Sequence, residues 1–267
     1  MRLFLLPALL LGFLGSANAQ LAPPNEAGMS MGHVHLNTRD VEAQRKFWTV
    51  MFDAVPLKRA GLDGVKTNGI LVLFTKQDPT AGTVGGAIDH FGYKVRSLPE
   101  FLKRAHANGY PIPREFKGSE GFPNAYITAP DDVKIELQED TTLTQWVVFQ
   151  HLHYIIKDPK ATQAWYVKTF GFDTTQRSTH VSANVPGANL SLDPLRNSPE
   201  PAGTKGRAMD HIGFEVKNLE AFCAKLEANG VKFDVRYRKI PGAGIADAFL
   251  TDPNGAYIEL TEGLDRY

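Results

Sequence analysis

The chain has 267 residues, 43% hydrophobic and 22% charged, and its 29 basic and 29 acidic side chains cancel. That balance removes any electrostatic reason to expect nucleic acid or an anionic membrane surface as a partner. The length suits one or two domains of ~150 residues. The 24 glycines and 17 prolines favour turns and short strands over a helical bundle.

The first 19 residues, MRLFLLPALLLGFLGSANA, carry Arg2 as their only charge, then an apolar run, then Ala17-Asn18-Ala19. This is the layout of a secretory signal peptide, residues 1–19, cleaved before Gln20. The run is shorter than the ~20 residues of a membrane span, no second run follows, and no cysteine adjoins the cleavage site. The expectation is a secreted or periplasmic protein with no membrane partner after cleavage. Residues 20–30, with Pro23 and Pro24, read as a linker. Cys223 is the only cysteine, so no intramolecular disulfide can form. It falls on the apolar side of a predicted helix and reads as a small buried hydrophobe.

Next comes MGHVHLNT, a strand with His33 and His35 on one face, because strand side chains alternate. Asp40 is placed to cap a helix, VEAQRKFWTVMF, with Val41, Phe47, Trp48, Met51 and Phe52 near one side. ILVLFT (70–75) is a buried strand, 77–86 a loop, and DHFGYKV a strand. Ser97 and Glu100 make a capping box for the next helix, which Gly109 stops. Strands follow near NAYIT and VKIELQ. The order then repeats. HLHYIIKD, from His151, has the H-x-H-x-x-x-x-D spacing of HVHLNTRD, from His33. Asp158 caps a helix with Pro159 at its first position, and Gly171 ends it. Tyr154 should face the helix side. ANLSL is a strand and 196–207 a loop. DHIGFEV, a helix capped by Asn218 and closed by Gly230, and the strands AFLT and AYIEL complete the chain.

DHFGYKVRSLPEFLKRAHANG (89–109) thus aligns with DHIGFEVKNLEAFCAKLEANG (210–230), and TAPDDVKIEL (128–137) with TDPNGAYIEL (251–260). Two copies are too few, and the period too long, for a solenoid. The reading is two homologous domains, 31–142 and 149–264, joined by a linker at 143–148. Each holds two half-units that open strand–helix and close with strands.

The pattern H-V-x-L-x-x-x-D, then DHxGxxV, then DPNGxxIEL resembles the vicinal oxygen chelate superfamily, which includes glyoxalase I, extradiol dioxygenases and the fosfomycin and bleomycin resistance proteins. The resemblance covers almost all of the chain after residue 30, twice. It implies an α+β fold of two tandem domains, each of paired βαβββ modules forming a curled sheet around a metal cleft. It implies metal ligation by His33, His90 and Glu136 in the first copy, and by His151, His211 and Glu259 in the second. The residue chemistry agrees. Two histidines and a carboxylate with open positions suit Fe(II), Mn(II) or Zn(II). A glutamate between isoleucine and leucine in a strand needs a partner to be buried, and a metal supplies one.

Two departures stand out. Glyoxalase I carries a further glutamate on the last strand of the first half-unit, where Leu73 and Ser191 stand here. Extradiol dioxygenases place a histidine and then a tyrosine ahead of the closing stretch. Copy two has Phe249 at the tyrosine position. Copy one has Tyr126, neither copy has the histidine, and Asp132 replaces the usual glycine. The second histidines, His35 and His153, point into the cleft. They could support a ligand or act as acid–base groups; in the latter role they are the catalytic candidates. The expectation is a metal-dependent enzyme acting on a small substrate with vicinal oxygens, dioxygenase-like or lyase/isomerase-like. The alternatives are a metal-free small-molecule binding or resistance protein, and a pair in which one copy is catalytic and the other structural. Substrate and oligomeric state stay open.

Overall fold

Four strand–helix–strand modules follow one another in the computed structural model, which describes residues 21–59 and 61–267. The expected signal peptide lies outside the described residues. Among them, no helix is long and apolar enough to cross a membrane.

The first module is β1 (Met29–Thr38), α1 (Val41–Phe52), β2 (Val55–Arg59), β3 (Leu62–Lys66) and β4 (Leu71–Lys76). Asp40 caps α1 by accepting from the backbone N–H of Glu42 and Ala43, each at 3.0 Å. The helix buries Gln44, Phe47, Trp48, Met51 and Phe52, the i, i+3, i+4, i+7, i+8 face of a 3.6-residue period. The second module is β5 (Ile88–Val95), α2 (Leu98–Ala107), β6 (Arg114–Lys117), β7 (Pro123–Ala129) and β8 (Val133–Glu139). The third is β9 (Val147–Ile156), α3 (Pro159–Phe170), β10 (Val181–Val185) and β11 (Ala188–Pro194). It lacks one strand, in whose place Asp173 makes a single bridge to Asn184. The fourth is β12 (Met209–Val216), α4 (Leu219–Ala228), β13 (Val235–Ile240), β14 (Ile245–Thr251) and β15 (Tyr257–Glu262).

The α+β class and the βαβββ modules are as the sequence implies. The pairing of modules is not. One sheet runs β13-β14-β15-β12-β1-β4-β3-β2 and the other β10-β11-β9-β5-β8-β7-β6. The first joins the opening module to the last, and the second joins the two middle modules. The boundary at 143–148 therefore lies inside the second sheet, and neither 31–142 nor 149–264 encloses a complete sheet. The contiguous unit is 88–194, and the chain ends on either side of it build the other. The physical reason is the pair of crossovers. The chain leaves the first sheet through 77–87, completes the second without leaving it, and returns through 195–208. These two loops, which could have covered the clefts, instead run against each other. Thr80 N donates to Gly206 O at 2.8 Å and Ala87 N to Ala202 O at 2.9 Å.

The helices and the faces of both sheets that they cover share one apolar core, with Trp48, Phe91, Phe101, Tyr166, Phe170 and Phe214 fully enclosed. Tyr154 lies on the helix side as expected, its hydroxyl 2.7 Å from that of Tyr166. Cys223 is buried, and burial pushes its thiol up to about 12, so it is an inert packing residue. Asn218 begins α4 differently from expectation. It makes no side-chain cap and turns the chain through the left-handed region at φ 55°.

A second, small apolar cluster gathers Leu57, Leu71, Leu73 and Ile245 around Leu264, in the turn after β15. Glu215 fixes that turn. Its carboxylate accepts from Gly263 N and, at 2.7 Å, from Thr261 Oγ1. Burial outweighs these bonds and raises its carboxyl from 4.5 to about 7. A carboxyl with a raised folded-state value is most stabilising when protonated, so its contribution falls as pH rises from 4.5 to 7. At ~1.4 kcal/mol per unit the loss is about 3 kcal/mol. Thermal melts from pH 5 to pH 8 should show this decline in the parent and a flatter profile in Glu215→Gln.

Candidate metal centres

Strand register places the donors. In the first sheet one row reads Leu71, His33, Gly213, Glu259, Phe249 across β4, β1, β12, β15 and β14. In the second sheet the row is Asn189, His151, Gly92, Glu136, Tyr126 across β11, β9, β5, β8 and β7. Residues directly opposite on neighbouring strands share a face. Each row thus aims a histidine and a glutamate to the same side of a glycine. One row along, His35 pairs with His211, and His153 with His90.

The glycine is what lets the row close. A Cβ on Gly213 would sit 1.9 Å from His33 Cε1, and one on Gly92 would sit 2.1 Å from His151 Cε1. The imidazole lies over the bare backbone of the opposite strand and reaches toward the glutamate beyond it.

Cleft 1 contains His33, His35, His211 and Glu259, with one potential ligand atom from each lying within 4.8 Å of all the others. Glu259 Oε2 is 2.9 Å from His33 Nε2 and 3.0 Å from His211 Nε2. His33 is fully buried, and neither of its ring nitrogens has a hydrogen-bond partner. The 2.9 Å approach is close without hydrogen-bond geometry. His211 Nδ1 is held by Asp210 at 2.6 Å and His35 Nε2 by Thr75 Oγ1 at 2.8 Å, while His35 Nδ1 is buried and unpaired. Burial would lower His211, but Asp210 and Glu259 hold it up at about 9. Burial would raise Glu259, but the His211 hydrogen bond and the close approach of His33 outweigh it, so it stays well below the usual carboxylate range. Burial lowers His33, and burial with the neighbouring His211 and His33 lowers His35 further.

Cleft 2 contains His90, Glu136, His151 and His153, again within 4.8 Å. His90 Nε2 is 2.9 Å and His151 Nε2 4.0 Å from Glu136 Oε2. His90 Nδ1 is held by Asp89 at 2.7 Å, and Asp89 in turn by Lys134 Nζ at 2.6 Å. Asn124 Nδ2 donates to the other glutamate oxygen at 2.6 Å. His151 Nε2 is buried without a partner. His153 Nε2 lies 3.2 Å from Asp193, which also takes His180 Nδ1 at 2.7 Å. Burial lowers His153 and pushes His151 well below its ordinary value. Both stay neutral, as metal ligation requires.

All six expected ligands are therefore in these clefts, but in exchanged sets. His33 meets His211 and Glu259, not His90 and Glu136; His151 meets His90 and Glu136, not His211 and Glu259. The exchange follows from module pairing. His35 and His153, expected as acid–base groups, lie among the donors themselves. Of the chain's eight histidines, only His106 lies outside the two clefts. Asp193, His180, Asn124 and Arg177 were not anticipated. Asp193 had a signal, because Asn189, Ser191 and Asp193 alternate along one strand face.

The donor sets fit a divalent metal. Imidazole and carboxylate suit Zn(II), Fe(II) and Mn(II). Second nitrogens anchored on Asp210, Asp89, Thr75 and Asp193 match the outer contacts of metal-bound histidines. Buried, unpaired ring nitrogens are otherwise costly.

Paired βαβββ modules with a histidine–glutamate cluster on each sheet define a class of metal-cleft protein. Residues 148–260 match the model of the Glyoxalase/Bleomycin resistance protein/Dioxygenase superfamily. The chain is 20% identical to a lactoylglutathione lyase of Schizosaccharomyces pombe, over 87% of this chain and 96% of that one. Its fold matches glyoxalase I from Zea mays with TM-score 0.68 at 14% identity, covering 89% of this chain and 94% of that one. It also matches a provisionally assigned dioxygenase from Bacillus subtilis with TM-score 0.67 at 12% identity, covering 91% and 86%.

Gly213→Ala should displace His33 and cost metal in cleft 1 alone, and Gly92→Ala should do the same to His151 and cleft 2. Overpacking of this kind costs ~1–3 kcal/mol. Elemental analysis of each variant, beside a thermal melt, checks it; two retained metals would refute the cradle role.

Proposed function

We propose that the protein is an exported, divalent-metal-dependent enzyme of lyase or isomerase type, acting on a small substrate with vicinal oxygens. The observation that carries this reading is the duplicated four-donor cluster, His33, His35, His211 and Glu259 in one cleft and His90, Glu136, His151 and His153 in the other. A bound metal would supply Lewis-acid polarisation of neighbouring substrate oxygens. The fourth carboxylate of the glyoxalase I resemblance is absent. Leu71 and Leu73 flank His33 and His35, and Asn189 and Ser191 flank His151 and His153. His35 and His153 stand in for it as the fourth donor.

The chain's own groups prepare the site. Asp210 and Asp89 orient His211 and His90, and Asn124 holds Glu136 in one rotamer. With Nε2 bonded to Asp193, His153 keeps Nδ1 for a metal or for a substrate proton. His151 and Glu136 lie buried at the floor of the cleft. A dioxygenase reading has one observation in its favour. Tyr126 keeps the position of the family tyrosine, its ring 5.3 Å from His90 in cleft 2. Oxygen uptake with catechol by anaerobically Fe(II)-loaded protein would select that branch.

Protein prepared without chelator or histidine tag should carry about two metals per chain, and Glu136→Gln and Glu259→Gln about one each. A parent that takes up no Fe(II), Mn(II) or Zn(II) would leave the metal-free binding protein as the reading. Uptake should also strengthen with pH. Metal entry must expel the proton that His211 holds up to about 9, so affinity in cleft 1 should rise about tenfold per unit between pH 6 and 8. Competition with a chelator of known affinity, read in Glu136→Gln so that only cleft 1 reports, measures the slope.

A further inference from the structure

The two clefts share a backbone and differ in what closes their rims. In cleft 1 the strand beside the histidines presents Leu71 and Leu73. These join Leu57, Ile245 and Leu264 in an apolar plug. Tyr267 seals it, under the Arg59 guanidinium at 5.0 Å and bonded to Ala243 O. Asp247, which stands where cleft 2 has Asn124, is already held by Arg238 at 2.7 and 3.1 Å.

In cleft 2 the strand beside the histidines is polar. Asn189 and Ser191 replace the leucines. The rim is latched by Ser119 to His180 at 3.0 Å and by Glu120 to Arg177 at 2.8 Å. Beneath the latch lies a cavity of about 160 Å³, lined among others by Arg177, Asn124, Glu136, His151 and His153. At ~30 Å³ per water this is room for about five waters, or a three- or four-carbon acid. Besides His151 Nε2, two atoms of its lining residues are buried without partners, a donor, Arg177 Nε, and an acceptor, Asn124 Oδ1. Arg177 Nη1 reaches Ser191 Oγ at 3.3 Å, on the strand beside His153, so the guanidinium stands next to the metal donors.

We infer that cleft 2 is the ligand-binding cleft and that Arg177 is its carboxylate receptor, selecting a small 2-hydroxy acid whose hydroxyl donates to Asn124 Oδ1 beside the donor cluster. The inference rests on the metal-centre reading for the ligand's orientation, not for its anion contact. Guanidinium and carboxylate match as fork to fork. Glu120 makes only a single contact, from Arg177 Nη2 at 2.8 Å, which leaves Nε free for a ligand carboxylate to replace it with a two-point contact. Gln138 Nε2, 2.8 Å from Glu120, holds the glutamate in the closed position. In cleft 1 the nearby cation, Arg238, is half-exposed and already paired with Asp247, and leucines replace the polar strand, so that cleft offers no free carboxylate receptor.

Calorimetry with glycolate and with uncharged hydroxyacetone, on the metal-free and the Mn(II)-loaded full chain, tests this. Glycolate should bind once per chain, at least tenfold more tightly than hydroxyacetone. Arg177→Gln should weaken glycolate at least tenfold in both forms and leave metal uptake unchanged. Glu120→Gln should tighten it severalfold, a gain that misfolding cannot imitate. Absence of glycolate binding, or equal affinity in Arg177→Gln, overturns the inference whatever the metal content. Arg177-dependent glycolate binding by a chain that takes up no metal overturns the metal reading and leaves the receptor standing.

Discussion

The rings of His33 and His151 occupy the space where the residue on the adjacent strand would carry its Cβ. That residue is glycine in both sheets, and the cluster depends on its being so. A β-sheet normally keeps opposite side chains about 4.5–5.5 Å apart and roughly parallel, which separates a histidine from a glutamate two strands away. Removing the middle side chain lets the imidazole lie flat across the gap. The helix-covered core on the far face then holds the strands in register, so the donors are aligned before any metal arrives. The burial that makes an uncompensated imidazole costly is accepted here because a metal can repay it.

On this common frame the sheets have diverged at the neighbouring strand. Leu71, Leu73 and Thr75 in one become Asn189, Ser191 and Asp193 in the other. The changes are small in volume and large in consequence. The leucines draw the terminal turn down over their cleft, and Glu215 pins that turn from behind. The polar set instead supports a network of exchangeable contacts that includes His180, Arg177 and Glu120. One geometry thus serves a centre with an apolar rim and one with a polar rim.

Much of this was legible in the sequence. H-x-H on a strand, DHxG and IEL each name a cleft-facing residue through two-residue alternation, and those six donors are where alternation puts them. Caps at Asp40, Ser97 and Asp158 are written locally and formed locally. The partnership of the donors was not legible. A repeat records which segments are alike, while sheet pairing is decided by where the crossovers send the chain. Five strands, β2, β3, β6, β10 and β13, were missed; REFK and VRYRKI are largely exposed and charged, without an apolar face to betray them, and LDGVK and VSANV are five residues long with little alternation. Arg177, His180 and Glu120 lie outside the segments that align between the copies, so nothing in the other copy marked them.

The nesting of one sheet within the chain path of the other sets an order of assembly. The donors of cleft 2 run from residue 90 to residue 153, all inside the contiguous unit 88–194. Those of cleft 1 run from residue 33 to residue 259. Loop closure costs about 0.6 kcal/mol more for each doubling of the loop, so the outer closure is dearer by about 1 kcal/mol if made first, and cheaper once the inner sheet has brought its flanks together. A chain emerging from its N-terminus can complete the second cleft while the first still waits for its glutamate. Leu264 joins its apolar cluster only after Glu259 is in place, so the first cleft is the last part of the fold to be completed.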